Sequence, residues 1–359
     1  MPIFPLLLCG MALLTALTNA LTMRTVKASS AISIEDSLEI LIPMRNEERN
    51  VRGCLEAALA TENCPNLKIS VLDDHSSDQT EPLLREFNQK ISLSSGSNLP
   101  DGWMGKSFAL SQLADQSAAD YLIFMDADVR ISPLALSASM ALVKEQQWDF
   151  LSPYPRQIAR SFAELLIQPL LQWSWISSVF LRFAERSPRP STTIANGQFF
   201  IVKRSAYLAI DGHENIKSEV LDDLELAREL VRNGYRGAVA DASQLISCRM
   251  YESFNELKEG YTKSLWRAFG SLGGTALTVL ILTATGIIPL IYTVHGSLTA
   301  AFGLTFVLLS RLIAAIKTRS NPFIALLHPL ATLLLLYLIA LSWWKKSRGN
   351  LTWRGRALG

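Results

Sequence analysis

From Pro2 to Thr22 the chain carries no charged residue, and Leu, Ala, Ile, Phe and Met fill most positions. A run of about 20 such residues is what a helix needs to cross the apolar core of a bilayer. Backbone in lipid must satisfy its own hydrogen bonds, so a helix is the expected form. Arg24 and Lys27 follow directly. The alternative, a cleaved signal peptide, wants basic residues ahead of the run and a small-residue cleavage site. The first is lacking, and Thr18-Asn19-Ala20 supplies the second only weakly. Three further apolar stretches, 272–293, 296–316 and 323–344, are broken near His295-Gly296 and by Lys317-Thr318-Arg319-Ser320-Asn321-Pro322. The preference of basic residues for the cytoplasmic face would put Arg24, Lys27 and the tail residues Lys345, Lys346, Arg348, Arg354 and Arg356 all on that face. Three full crossings after a cytoplasmic core forbid this. Either one stretch fails to span, with 272–293 and its Pro289 the first choice for a re-entrant or interfacial piece, or the tail lies outside.

Between the apolar ends the pattern changes. From Glu39 to Gly270 short apolar runs alternate with amphipathic helical stretches, the signature of βαβ units on a largely parallel sheet. Leu38–Pro43, Leu67–Leu72 and Tyr121–Met125 read as strands, and Asn46–Ala60, 78–89 and Lys106–Ser117 as helices, with a Gly, Ser and Asn-rich loop over 94–105. The second strand runs into Asp73-Asp74-His75-Ser76-Ser77-Asp78 and the third ends at Asp126-Ala127-Asp128. Ligands of open α/β sheets bind outside the carboxyl ends of the strands, so acids from two strands can converge on one ligand. The net charge of +2 and the scattered Lys and Arg residues give no support for a nucleic-acid partner. Cys9, Cys54, Cys64 and Cys248 form no C-x-x-C pair, which fits reduced thiols and argues against zinc.

Paired carboxylates at strand ends suit one chemistry well. A diphosphate carries about two negative charges, and a carboxylate approaches it only with a cation between them. Mg2+ or Mn2+ takes hard oxygen ligands, commonly one or two carboxylates together with phosphate and water. Asp126-x-Asp128 can supply one such ligand to the metal and one to a ribose hydroxyl, although a lone pair of this kind equally well caps a turn.

Pro43-Met44-Arg45-Asn46-Glu47-Glu48, the Asp73–Asp78 run, Gly105-Lys106, Asp126-Ala127-Asp128 and Asp222-Asp223 occur in that order and on the expected elements. Together they resemble the family 2 glycosyltransferases of the GT-A fold, over about 230 of the 359 residues. Among these the chain looks most like membrane-anchored bacterial enzymes that glycosylate carotenoids or related isoprenoid lipids, with a Trp353–Arg356 tail of matching type. The resemblance implies an α/β GT-A domain with a mostly parallel sheet over 36–270, an anchor at 1–24, a membrane region at 271–345 and a basic tail at 346–359.

It also implies site residues. Pro43, Asn46, Glu47, Asp73 and Asp74 would line the nucleobase and ribose pocket, with Asp74 accepting from the base. Lys106 would neutralise phosphate charge, Asp126 would face the ribose and Asp128 the metal. Gly197 and Gln198, within Asn196–Val202, would lie beside the donor sugar and acceptor, together with Asp222. Asp223 would be the base of an inverting transfer, although a carboxylate at a helix start is also favoured without any catalysis. Two departures stand out. The family has Gly where this chain has His75, and Glu where it has Asp222. The Gln-x-x-Arg-Trp motif of processive synthases is replaced by Tyr261-Thr262-Lys263-Ser264-Leu265-Trp266-Arg267, which favours a single sugar addition. Lys263, Trp266 and Arg267 are candidates for acceptor or phosphate contacts, or for the headgroup level of the bilayer.

The apolar segment 160–183 reads either as an interfacial helix pair that brings the acceptor lipid in or as packing against the sheet. The expected activity is transfer from a nucleotide-diphosphate sugar, a UDP-hexose, to a lipid of the inner cell membrane by a cytoplasmic domain of a multi-pass protein. The competing readings are a processive polysaccharide synthase and an inactive scaffold that retains the fold.

Overall fold

The computed structural model describes residues 1–353, 356 and 357, with side chains through Leu351. Arg354 and Gly355 of the tail motif lie outside the described residues. The chain forms two compact units and passes between them several times: an α/β unit, Arg24–Arg156 with Ala184–Cys248, and a helical unit, Met1–Met23, Gln157–Phe183 and Arg249–Gly359.

The α/β unit is built on β1 (Leu38–Met44), β2 (Leu67–Asp73), β3 (Ser92–Ser95), β4 (Tyr121–Met125), β5 (Val129–Ile131), β6 (Phe150–Tyr154), the two-residue β7 (Arg156–Gln157), β8 (Phe199–Lys203), β9 (Gly237–Asp241) and β10 (Ile246–Cys248). Seven of these make one sheet in the order β3-β2-β1-β4-β8-β6-β9. Its pairs are parallel except where β8 runs antiparallel between β4 and β6. A small second ladder pairs β5 with β10.

Strands covered on both faces need continuous apolar runs. In β1, Leu38, Ile40, Leu41, Ile42 and Met44 are fully buried accordingly. Helices α2 (Val51–Leu59), α3 (Thr80–Arg85), α4 (Gly105–Gln116), α5 (Ala135–Gln146), α8 (Arg204–Ala209) and α9 (Asp222–Arg232) follow the strands. Leu110 and Leu113 of α4 and Leu226 and Leu230 of α9 join Leu41, Leu72, Phe124, Phe150 and Phe200 in one core. Burying each such side chain stabilises the unit by roughly 1.5–3 kcal/mol.

The helical unit holds α1 (Ile3–Thr22), α6 (Phe162–Ile176), α10 (Phe254–Ala268), α11 (Leu272–Gly286), α12 (Ile288–Val294), α13 (Leu298–Lys317) and α14 (His328–Ser347); α7 (Leu181–Arg186) carries the chain out of it. Residues 3–22, 272–294, 298–317 and 322–347 are each long and apolar enough to cross a membrane. The interruption at Ile287 precedes Pro289, which has no N–H to donate.

Several expectations shift at their edges. The helix expected from Asn46 begins at Val51, because Asn46 adopts φ +52° and turns the chain first. The helix expected over 78–89 is shortened to α3. Ser92–Ser95, taken into or beside a loop by its polarity, pairs with β2 as an edge strand through its backbone ladder. The apolar segment 160–183 belongs to the helical unit. Its α6 sits in the helical unit, where Trp173 Nε1 donates to Ser310 Oγ at 2.8 Å and Thr318 Oγ1 donates to Gln172 at 2.9 Å.

Candidate active site

The loops after β1 and β2 are knitted to each other. The register pairs Met44 with Asp73, and the Asp74 N–H donates to the Met44 carbonyl at 2.8 Å. Asn46 Oδ1 accepts from the Ser77 N–H at 2.8 Å, while the Asn46 N–H donates to Ser76 Oγ at 3.0 Å. The Glu47 N–H donates to Thr80 Oγ1 at 2.7 Å. Arg45 Nη1 donates to the Asp74 carbonyl at 2.6 Å and stands 3.9 Å from its carboxylate. Asp73 accepts from the Ser76 N–H at 3.3 Å through Oδ2, and its Oδ1 is buried without a partner.

His75 takes φ +55°, the left-handed region where glycine is at ease. That geometry is one a glycine at this position would adopt without strain. Pro43, Asn46, Glu47, Asp73 and Asp74 thus share one rim of the sheet, with Glu47, Asp73 and Asp74 all buried.

A second cluster gathers at the ends of β4 and β8. The Asp126 N–H donates to the Gln198 carbonyl at 3.0 Å, so the acid motif is tied to the Gly197-Gln198 turn. Lys106, in the first turn of α4, places Nζ 2.7 Å from Asp126 Oδ1, 4.0 Å from Asp222 Oδ2 and 3.5 Å from the Gly197 carbonyl. Burial works against its ammonium, but Asp126 and Asp222 outweigh that, and its pKa lies well above the ordinary lysine value. Lys106 is therefore paired with the acids.

Burial and the neighbouring Asp126 and Glu47 push Asp128 up to about 7, and its Oδ1 is buried without a hydrogen-bond partner. Asp223 is raised to about 6 by burial and by Asp222, against the pull of Lys106 and of the backbone N–H groups of Leu224 and Gly197. A Cβ added at Gly197 would stand 2.9 Å from Asp223 Cβ and 3.3 Å from its Oδ2. Only glycine lets the backbone come this near.

Three contributors were not singled out from sequence. Arg130 donates to the Ala127 and Val129 carbonyls at 2.8 Å each and to Asn50 Oδ1 at 3.1 Å, clamping the Asp126–Asp128 turn to the base of α2. Cys248, noted only as a thiol, accepts from Gln198 Nε2 at 2.9 Å and hydrogen-bonds Asp128. His213 is fully enclosed, its Nδ1 2.8 Å from the Tyr207 hydroxyl, and burial lowers it to about 4. It is a neutral wall behind Asp222 and Lys106. Arg130 follows the Asp126–Asp128 motif closely, whereas Cys248 and His213 carry no motif of their own and are brought to it by the fold.

Lys263, Trp266 and Arg267 belong to α10 of the helical unit. There Trp266 Nε1 donates to the Lys263 carbonyl at 3.0 Å and Lys346 Nζ lies 3.9 Å above the Trp266 ring.

The site fits a divalent metal through one carboxylate. Asp128 offers an unpartnered buried oxygen, and the nearby acids Asp126 and Glu47 add negative charge around it. Among the described residues no group of three or more His, Cys, Asp and Glu side chains is arranged to hold a metal. The remaining ligands would have to be phosphate oxygens and water, the coordination Mg2+ favours.

Comparison with known proteins supports the same reading. Residues 39–210 match the family model described as Glycosyl transferase family 2. The chain is 28% identical over 255 residues to the 4,4'-diaponeurosporenoate glycosyltransferase of Staphylococcus haemolyticus (strain JCSC1435), covering 70% of this chain and 67% of that one. It is 23% identical to the like-named protein of Staphylococcus aureus (strain USA300), covering 92% and 90%. In structure it resembles the mannosyltransferase PcManGT from Pyrobaculum calidifontis, solved with GDP-Man and Mn2+, at a TM-score of 0.55, 15% identity and coverage of 96% and 97%. With the ordered motifs on a GT-A sheet and the acids gathered at its strand ends, residues 39–210 form a glycosyltransferase domain similar to family 2.

Proposed function

We propose that the chain transfers one hexose, with inversion, from a UDP-sugar to the polar end of a membrane lipid of carotenoid or related isoprenoid type. The observation that carries this reading is Asp223, held at the start of α9 against the Gly197 backbone with its proton affinity raised to about 6. A general base works best when its pKa lies near the working pH, and this one is mostly ionised at neutrality. Asp223 takes the proton of an acceptor hydroxyl as its oxygen attacks the anomeric carbon from the face opposite the nucleotide. A carboxylic acceptor, the class named for the relatives, arrives already ionised and needs no base, so the proton transfer to Asp223 applies to a hydroxyl acceptor.

Pro43, Asn46, Glu47, Asp73 and Asp74 line the nucleobase and ribose pocket in this reading, and Asp126 faces the ribose. Lys106 moves from Asp126 to the donor's phosphates, a task suited to a compact ammonium charge. Asp128 would hold Mg2+ or Mn2+, which when bound would supply Lewis-acid stabilisation of the leaving diphosphate. Gly197, Gln198 and Asp222 border the sugar.

The test uses membranes carrying the wild type or Asp223→Asn, labelled nucleotide sugars, Mg2+ or Mn2+, and extracted native lipids. Label entering lipid only with the wild type is expected. Equal transfer by both removes Asp223 from the reaction, and label entering a long water-soluble polymer replaces this reading with a processive synthase.

A further inference from the structure

The direction of each helix in the helical unit can be traced from side-chain contacts. The Met1 ammonium donates to Ser297 Oγ at 3.2 Å and Thr299 Oγ1 at 3.4 Å, and a Cβ on Gly10 would lie 3.9 Å from the Phe306 ring. Helices α1 and α13 therefore start together and run the same way. The turn at 295–297 joins α12 to α13, so α12 also ends beside Met1. Helix α14 runs against α11: Gly286 abuts Thr332, whereas Trp343 Nε1 donates to Thr275 Oγ1 at 3.3 Å. Since α11 and α12 lead toward the Met1 end, α14 leads away from it, as α13 does.

Two consecutive helices that run in the same direction need a return path. Only residues 318–327 lie between them, and Pro322–Leu327 of these form a 3-10 helix that packs along α13. At about 2 Å per residue there and about 3.5 Å elsewhere, the segment can climb at most roughly 25 Å. Its Phe323 and Leu326 point outward, 78% and 67% exposed, as lipid-facing residues would.

The end opposite Met1 has a different character. Asn19 donates to the Ile176 and Val179 carbonyls at 2.7 Å each, next to the point where the chain leaves the unit. Helix α10 is fastened to the last turns of α14: the Trp266 N–H donates to Ser342 Oγ at 3.0 Å and Lys345 Nζ donates to Thr262 Oγ1 at 3.2 Å. Lys346 lies over both Trp266 and Trp343. From Gly260 to Gly359 the sequence has no Asp or Glu. Lys317, Arg319, Lys345, Lys346 and Arg348 all follow or close helices that run toward this end, and the 295–297 turn at the other end carries neither Lys nor Arg.

We infer that the bilayer takes this unit in three crossings, α1, α11 with α12, and α13, and that residues 318–327 fold back into the apolar layer so that α14 returns to the face from which the α/β unit emerges. The cationic end, with its Trp–Lys stacks, rests on the phosphates of an anionic leaflet. This resolves the conflict over the tail, because Arg24, Lys27 and the residues after α14 then share one face, the 322–347 stretch being the one that does not cross. The re-entrant piece is the 318–327 segment, and 272–294 crosses. The inference is independent of which sugar or lipid the enzyme uses.

Single cysteines test it in the full chain. Cys9, Cys54 and Cys248 are buried, so only Cys64 needs replacement, by Ser. Glu214→Cys in the α/β unit, His295→Cys and Asn350→Cys occupy exposed positions. Sealed vesicles of both orientations are treated with a membrane-impermeant maleimide, and detergent-opened vesicles give the total. Glu214→Cys and Asn350→Cys are expected to label from one face and His295→Cys from the other, each with at least a tenfold preference. Labelling of Asn350→Cys from the His295→Cys face, or its protection until detergent is added, overturns the inference.

Discussion

Replacing Asp223 by Asn should abolish transfer and at the same time stabilise the fold, by an amount that depends on pH in a defined direction. The carboxyl rises from the ordinary 3.8 to about 6 in the folded chain, because burial and Asp222 disfavour its charge. At about 1.4 kcal/mol for each tenfold change in proton affinity, ionising it costs the native state about 3 kcal/mol above pH 6. A raised acid is harmless below its unfolded value, begins to cost as pH climbs past about 4, and reaches its full cost above about 6. At pH 5 the linkage relation leaves about half of it, roughly 1.5 kcal/mol. Asn keeps the shape and avoids the charge. Thermal unfolding in detergent should therefore place Asp223→Asn several degrees above the wild type at pH 8, with the gap about halved at pH 5. A gap that does not change with pH, or a wild type more stable at pH 8, would refute the claim that Asp223 is held charged at a cost. Retained transfer by the variant would refute the base assignment separately.

Other outcomes follow from the same geometry. In Gly197→Ala the new methyl meets Asp223 at 2.9 Å and displaces it; kcat should fall on the order of 100-fold with a smaller change in donor KM, read by steady-state transfer assays. Asp128→Asn should raise the Mn2+ concentration needed for half-maximal transfer by at least tenfold, since Asp128 offers the buried unpartnered carboxylate oxygen to the metal. Arg130→Met removes the clamp on the Asp126–Asp128 turn and should cost roughly 2–3 kcal/mol in unfolding experiments, with weaker metal dependence as well. His75→Gly relieves a left-handed backbone and should stabilise the fold by about 1 kcal/mol. If the His75 ring also stacks on the donor, the same variant raises the donor KM.

Much of the α/β unit could be read from periodicity. The runs that become β1, β2 and β4 are mostly apolar because both faces of the sheet are covered, and β2 and β4 run into the acids that mark the site. Less legible was whatever depends on contacts between distant segments. Nothing local distinguishes Ser92–Ser95 from a loop, since its pairing to β2 is made by backbone groups. Asn46 looked like a helix start, yet its side chain is committed to Ser77. Arg130 and His213 carry no motif and gain their places only when β5 meets α2 and α8 meets β4. The apolar runs of the membrane helices were plain, but their directions were not, because hydropathy records length and says nothing of which neighbour a helix lies beside.

The α/β unit is assembled from two separate stretches, 24–156 and 184–248, with α6 spliced between them into the helical unit. Trimming the two ends of the chain would therefore leave a stranded apolar hairpin, with Phe162, Leu171 and Phe183 already exposed as it stands. A water-soluble version for crystallisation or inhibitor screening would require excising residues 157–183 and bridging Arg156 to Ala184 with a short polar linker. Conversely, a mutation that loosens α6 would act on the membrane anchor and on the continuity of the catalytic sheet at once, and its damage could not be assigned to either from expression level alone.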